Sequence, residues 1–373
     1  MKAPFRADHV GSLLRPEDLK SARARRARGE ITAQELRAVE DRAIERVIAR
    51  QEAIGLKAVT DGELRRDNWM FDFLSGLGGT QVRTREVVAE PQGPAAASEV
   101  PRLMKVTTVV GKLHWAGHTM LEHFRFLKAH TRATPKITIP SPTMLVSASR
   151  DWREVVEPAA YARIEDLYAD LGEAYRGALH ALYEAGCRYL QLDDVNLAYF
   201  CDTAMREKLK SRGDDPDALL EHSVRMLSAV LRDKPADMAV ATHVCRGNFR
   251  SSWFAQGGYE AIAEAVLGRL NYDGYFLEYD TERAGGFEPL RFLPKGPKRV
   301  VLGLVTTKTG SLEDKDAIKR RIEAASRYVA LDQLCLSPQC GFASTEEGNL
   351  LTEEEQWAKL AAVVEIAGDV WRE

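Results

Sequence analysis

Short apolar runs that end in polar or turn residues recur along this chain. They read "ADHVGS", "LKAVTDGE", "KITIPSP", "RYLQLDD", "AVATHVC", "GYFLEYD", "VVLGLV" and "QLCLSPQC", eight in all. Each has the length of a strand. Most are near-continuously apolar, the pattern of a strand covered on both faces. Helical periodicity separates most of them, as in "ERVIARQEAIG", "DLYADLGEAYRGALHALYEAG", "DALLEHSVRMLSAVLRD" and "DKDAIKRRIEAASRYVA". Strands alternating with amphipathic helices predict a parallel sheet covered by helices. Eight such units in 373 residues predict an α/β protein built as a (β/α)8 TIM barrel. The doubly wound alternative lacks its phosphate fingerprint, because no G-x-G-x-x-G follows an early strand.

The alternation breaks over residues 80–130. "TQVRTREVVAEPQGPAAASEVPRLMKVTTVVGKLHW" reads as two extended segments around a Pro/Ala/Gly-rich loop. It predicts a β-hairpin inserted after the second barrel strand, as a lid or an oligomer contact. Nothing else marks a domain boundary, so the expectation is one catalytic barrel over residues 1–373.

Composition narrows the function. Lys and Arg total 52 against 55 acidic residues, a formal charge of −3. No broad basic field is available to hold nucleic acid. The basic stretch "KSARARRARGE" is soon followed by acidic residues and reads as a solvated helix face. No apolar run is long enough for a membrane span, and the start has no signal-peptide core. Five widely spaced cysteines do not suggest a disulfide framework. The expectation is a cytoplasmic protein with reduced thiols.

Barrel active sites sit at the C-terminal ends of the strands. In "AVATHVC", His243 and Cys245 are two apart, and in a strand such residues leave on the same face. The sixth run carries Glu278, and the eighth ends at Cys340. One imidazole, two thiols and one carboxylate therefore converge on one mouth. Zn²⁺ accepts N, S and O ligands in four-coordinate geometry. The plain alternative is that Glu278 pairs with a nearby Arg and Cys340 is merely buried. Cys187, Cys201 and Cys335 read as core thiols. Other strand ends bring His9, Ser12, Asp61, Glu63, Asp193 and Asp194, a set suited to an amino acid's charged ends. Each is equally suited to a cap or turn.

Taken in order, "FRADHVGSLLRP", "TDGE", "IPSPTM", "QLDD", "ATHVCRGN", "FLEYD" and "LSPQCGF" resemble the catalytic barrel of the cobalamin-independent methionine synthase family, and most of all its short single-barrel relatives. The resemblance implies a Zn²⁺ bound by His243, Cys245, Glu278 and Cys340. It implies that the amino-acid end of homocysteine is held by Ser12, Glu63 and Asp193. It implies methyl transfer to the homocysteine thiol, giving methionine. Two departures affect the donor half. Where the family carries a His near the end of the seventh strand, this chain has Thr306, Thr307 and Lys308, so the general acid is unidentified. The tryptophan on which the family stacks a pteridine is absent from "KITIPSPTMLV". Two donors stay open, methyltetrahydrofolate and a corrinoid methyl carrier. So does alkyl transfer to another thiol, of the epoxide:thiol transferase kind, which "ATHVCRGN" also resembles.

Overall fold

The computed structural model describes residues 3–88 and 101–372. Its ten strands are β1 (Ala58–Val59), β2 (Gly78–Val88), β3 (Pro101–His114), β4 (Thr134–Pro135), β5 (Ile137–Pro140), β6 (Tyr189–Asp194), β7 (Ala239–Val244), β8 (Gly274–Glu278), β9 (Arg299–Val305) and β10 (Leu334–Pro338). Strands β5 to β10 form one parallel sheet in sequence order. The parallel pair β1–β4 continues it, since Lys136 N donates to Val59 O at 2.9 Å. A parallel bridge between Ala7 and Leu336 closes the circle. The expected α/β barrel is therefore present.

The first apolar run contributes less than a full strand. Only Ala7 joins the ladder. The Asp8 carboxylate takes the backbone N–H groups of Phe5 and His9, at 3.2 and 2.8 Å, leaving fewer donors for ladder pairing. A side-chain bond completes the seam on the other side: Thr60 Oγ1 donates to Gly11 O at 2.7 Å.

Size alternation fills the barrel floor. Ala58, Ala239 and Ala241 make room for Tyr189 and Phe276 in one buried cluster. Among them lies a fully buried ion pair, Lys136 Nζ to Asp8 Oδ1 at 3.1 Å. Tyr189 OH donates to the other Asp8 oxygen at 2.8 Å, and Lys136 sits 4.2 Å from the Phe276 ring centroid. Outside the sheet, the helix Ile164–Glu184 buries Leu167, Leu171, Ala174, Ala178 and Leu182, the 3–4 spacing of a core-facing stripe. Capping boxes Thr32/Glu35 and Thr352/Glu355 start two of the long helices, satisfying N-terminal N–H groups.

The expected 80–130 segment divides in two. β2 and β3 pair antiparallel as a hairpin, while Met120–His130 is a helix that leads into β4. The Pro/Ala/Gly-rich loop at 89–100 lies outside the described residues. The hairpin is tied to the barrel: Val109 bridges Val156, Arg83 pairs with Glu157, and Leu113 N donates to Tyr161 OH at 2.7 Å. Among the described residues, no helix is long and apolar enough to cross a membrane.

Candidate metal centre and its cavity

Three strands deliver four donors to one point. His243 lies near the end of β7 and Cys245 just beyond it, Glu278 is the last residue of β8, and Cys340 follows β10 by two positions. One candidate ligand atom from each residue lies within 4.8 Å of all the others, and all four residues are buried. The two sulfurs are 3.4 Å apart, far beyond the roughly 2.05 Å of a disulfide. Both are free thiols.

The electrostatics of this cluster are unbalanced without a cation. His243 is 1% exposed, yet neither ring nitrogen has a hydrogen-bond partner. Buried polar atoms are normally satisfied. The Cys340 thiol is held well below its ordinary pKa, first by its hydrogen bond with Cys245 and then by His243. The same bond and burial push Cys245 up. Burial opposes a charged His243, but Cys340, Asp193 and Glu278 outweigh it and raise its pKa. An orphaned imidazole, a thiolate-prone sulfur, a second sulfur and a carboxylate form a donor set that fits Zn²⁺.

Glu278 is gripped from two sides. Arg246 N donates to its Oε1 at 2.9 Å. Arg283 Nη2 stands 3.4 Å from Oε2 and also pairs with Asp280 at 2.7 Å. The arginine partner that the sequence offered as an alternative is thus present, and the carboxylate still lies among the other three donors.

A cavity of about 1490 Å³ opens beside the cluster, lined by His243, Cys245 and Cys340 together with Ser12, Glu63 and Asp193. Ser12 Oγ packs on Gly341, where a Cβ would come within 1.9 Å of it. Glu63 has a left-handed backbone, φ 59°, stabilised where its N–H meets Asp61 Oδ1 at 2.9 Å. Such a conformation in a non-glycine residue costs about 1–3 kcal/mol and clusters at functional sites. Thr138 Oγ1 donates to Glu63 Oε1 at 2.7 Å, and Arg66 lies 3.4 Å from Oε2. Burial raises the pKa of Glu63. Burial, with Glu63 adding to it, pushes Asp193 up to about 7. A buried carboxylate whose charge is disfavoured in this way invites a cation beside it.

The remaining strand-end residues serve the fold. Asp61 caps the turn at Glu63, and Asp194 accepts from Thr143 Oγ1 and Leu197 N at 2.6 and 2.8 Å. His9 does not line the cavity, and burial lowers its pKa to about 4. At the end of β9, Thr307 Oγ1 bonds Gln339 at 2.7 Å, while Lys308 Nζ reaches Asn248 and Ser252 O at 3.2 Å each. The hairpin, expected as a lid or an oligomer contact, contributes Val82, Lys105, Val106 and Thr107 to the cavity wall, residues that sequence reasoning did not single out. Sequence reasoning also missed Arg150 and Tyr199, neither of which ends a strand, Tyr199 being the last residue of the short helix Asn196–Tyr199.

Residues 5–369 match the family model for the catalytic domain of cobalamin-independent synthase. The chain is 49% identical to the Bacillus subtilis (strain 168) protein YxjH over 378 aligned positions, covering 100% of this chain and 96% of that one. A Listeria monocytogenes structure, provisionally described as a vitamin-B12 independent methionine synthase, is 41% identical with TM-score 0.79 and full coverage of both chains. A B12-independent methionine synthase from Shewanella sp. W3-18-1, solved with selenomethionine, shares the fold at TM-score 0.70 and 19% identity, covering 98% of each chain.

Proposed function

This chain belongs to the family of the cobalamin-independent synthase catalytic domain, and we propose that it is a zinc-dependent methyltransferase that converts homocysteine to methionine. His243, Cys245, Glu278 and Cys340 would hold the metal. The observation that carries this reading is that cluster of four buried donors, whose imidazole lacks any hydrogen-bond partner. A Zn²⁺ there would supply the positive charge that keeps an incoming sulfhydryl in its nucleophilic thiolate form.

The chain's own residues do the rest. Asp193 and Glu63 receive the substrate ammonium, whose charge offsets the cost of burying two carboxylates. Ser12 Oγ offers a hydrogen bond to the substrate carboxylate. Both contacts orient the side-chain sulfur toward the donor cluster and fix it for in-line attack on a methyl carbon. Arg246 N–H and Arg283 hold Glu278 at one edge. The burial of every donor keeps bulk water from the thiol. The selenomethionine bound by the Shewanella protein is an analogue of the product this reading assigns.

The methyl donor is methyltetrahydrofolate or a corrinoid methyl carrier. The deciding experiment offers zinc-loaded protein homocysteine with each donor in turn and measures methionine. Methionine from either donor, with about one zinc per chain, supports the proposal. Turnover of another thiol with an epoxide, and none of homocysteine, would replace it with an epoxide:thiol alkyl transferase.

A further inference from the structure

Arg150, in the cavity wall, has no carboxylate partner among the described residues. Arg150 lies four residues beyond the turn Pro142–Val146 and lines the cavity with Met144, Ser147, Ser149 and Tyr199. Its Nε is buried without a hydrogen bond, and among the described residues no carboxylate stands within 4.0 Å of its guanidinium. Arg26 of the same cavity wall is exposed, while three other arginines there are engaged. Arg15 donates to the carbonyls of Thr345 and Arg66 at 2.8 and 2.9 Å. Arg23 pairs with Glu40 and Asp67, and Arg65 with Glu40 and Asp41. Arg150 is partly exposed to the cavity, and the planar fork of a guanidinium matches carboxylate and phosphate.

The surroundings fit an anion. Ser147 and Ser149 place their hydroxyls 3.1 Å apart. The hairpin brings the exposed Lys105 to the same cavity. The fixed charges that act on Arg150 are Glu154, which attracts it, and Arg85, which repels it. Tyr199 and Cys245 line the same cavity as Arg150. The cavity, at about 1490 Å³, exceeds the roughly 300–1,000 Å³ of ordinary small-molecule pockets. One amino acid does not fill it, and the residues assigned to that amino acid lie elsewhere in its wall.

We propose that Arg150, with Ser147, Ser149 and Lys105, is an anion subsite for the second substrate: the methyl donor is a small molecule whose carboxylate or phosphate seats on this guanidinium. This rests on the methyltransferase reading for the identity of the second substrate, but the binding itself is tested separately. Calorimetric titration of the purified chain with 5-methyltetrahydrofolate, its diamide (both glutamate carboxylates amidated) and inorganic phosphate reads the subsite directly. Wild type is expected to bind at least one anionic probe, and Arg150→Met to weaken that binding about ten-fold or more. Arg150→Lys should recover part of the loss. Folate binding that the diamide lacks assigns a carboxylate, and phosphate binding that competes with it assigns a phosphorylated donor. Homocysteine binding should be the same in all three proteins.

Three results overturn the subsite: no binding of either anionic probe by wild type, equal binding by a folded Arg150→Met, or a loss confined to homocysteine. Circular dichroism and the melting temperature of each variant separate misfolding from lost binding. Arg150-dependent anion binding in a chain that takes up no zinc would keep the subsite and end the methyltransferase reading.

Discussion

At Cys340 two local forces oppose one another. Burial disfavours the thiolate, while the hydrogen bond from Cys245 and the nearby His243 favour it and prevail. Cys340→Ser removes the polarisable sulfur and is expected to bring zinc content well below one per chain and to abolish methionine formation, read by metal analysis and product assay. Full metal and activity in that variant would sink the assignment of Cys340 as a ligand. Glu63 answers a different question. Glu63→Gln is expected to leave zinc content unchanged and raise the homocysteine KM about 10–100-fold, the equivalent of one charged hydrogen bond at roughly 1.5–3 kcal/mol. A change in kcat alone would contradict a binding role. His243 and Cys245 could be placed together from sequence because a strand fixes side-chain direction at i and i+2. Arg150 could not, because no local pattern tells an arginine that finds a carboxylate from one that does not.

Among elements, the hairpin is the least typical of a barrel. Leu113 of β3 is 4% exposed and packs in the main core beside Val109, whereas Val82 of β2 is 48% exposed at the cavity. Leu113→Ala should cost about 2–5 kcal/mol by cavity creation, read as a lower urea midpoint. Val82→Ser should cost under about 0.5 kcal/mol. Equal effects would show that the hairpin is not docked as described. That two extended segments flank 89–100 was legible in "TQVRTREVV" and "MKVTTVVGKLHW", which are rich in β-branched residues. Their attachment was not, since it depends on Val156, Glu157 and Tyr161 of a distant loop. The first run, "ADHVGS", looked like a strand because it is a short run with apolar residues that ends in turn residues. Asp8 overrode that pattern by capturing neighbouring N–H groups while pairing with Lys136.

At the scale of the whole molecule, acid stability is set partly by the barrel floor. Burial lowers the His9 pKa from 6.5 to about 4. Above pH 6.5 the imidazole is neutral in both folded and unfolded chains. Between about 6.5 and 4 the unfolded chain takes up a proton that the folded one refuses, so stability falls as pH falls, by up to about 3 kcal/mol from this group, and levels off below about 4. His9→Asn is expected to flatten that limb, measured as urea stability from pH 7.5 to 4.5. An unchanged slope would show that His9 is not the group responsible. Lys136→Met, which strands the buried Asp8 carboxylate, should cost about 3–5 kcal/mol. By itself the sequence determined the parallel barrel and the strand ends carrying the candidate ligands, because strand length, helix period and i, i+2 geometry are local properties written in neighbouring residues. Only the tertiary structure decided that His243, Cys245, Glu278 and Cys340 come within 4.8 Å of one another, that Glu278 is held by Arg283, and that the Arg150 Nε is buried without a hydrogen bond among the described residues. Those outcomes depend on which strand lies beside which and on how far each side chain reaches once the barrel has closed.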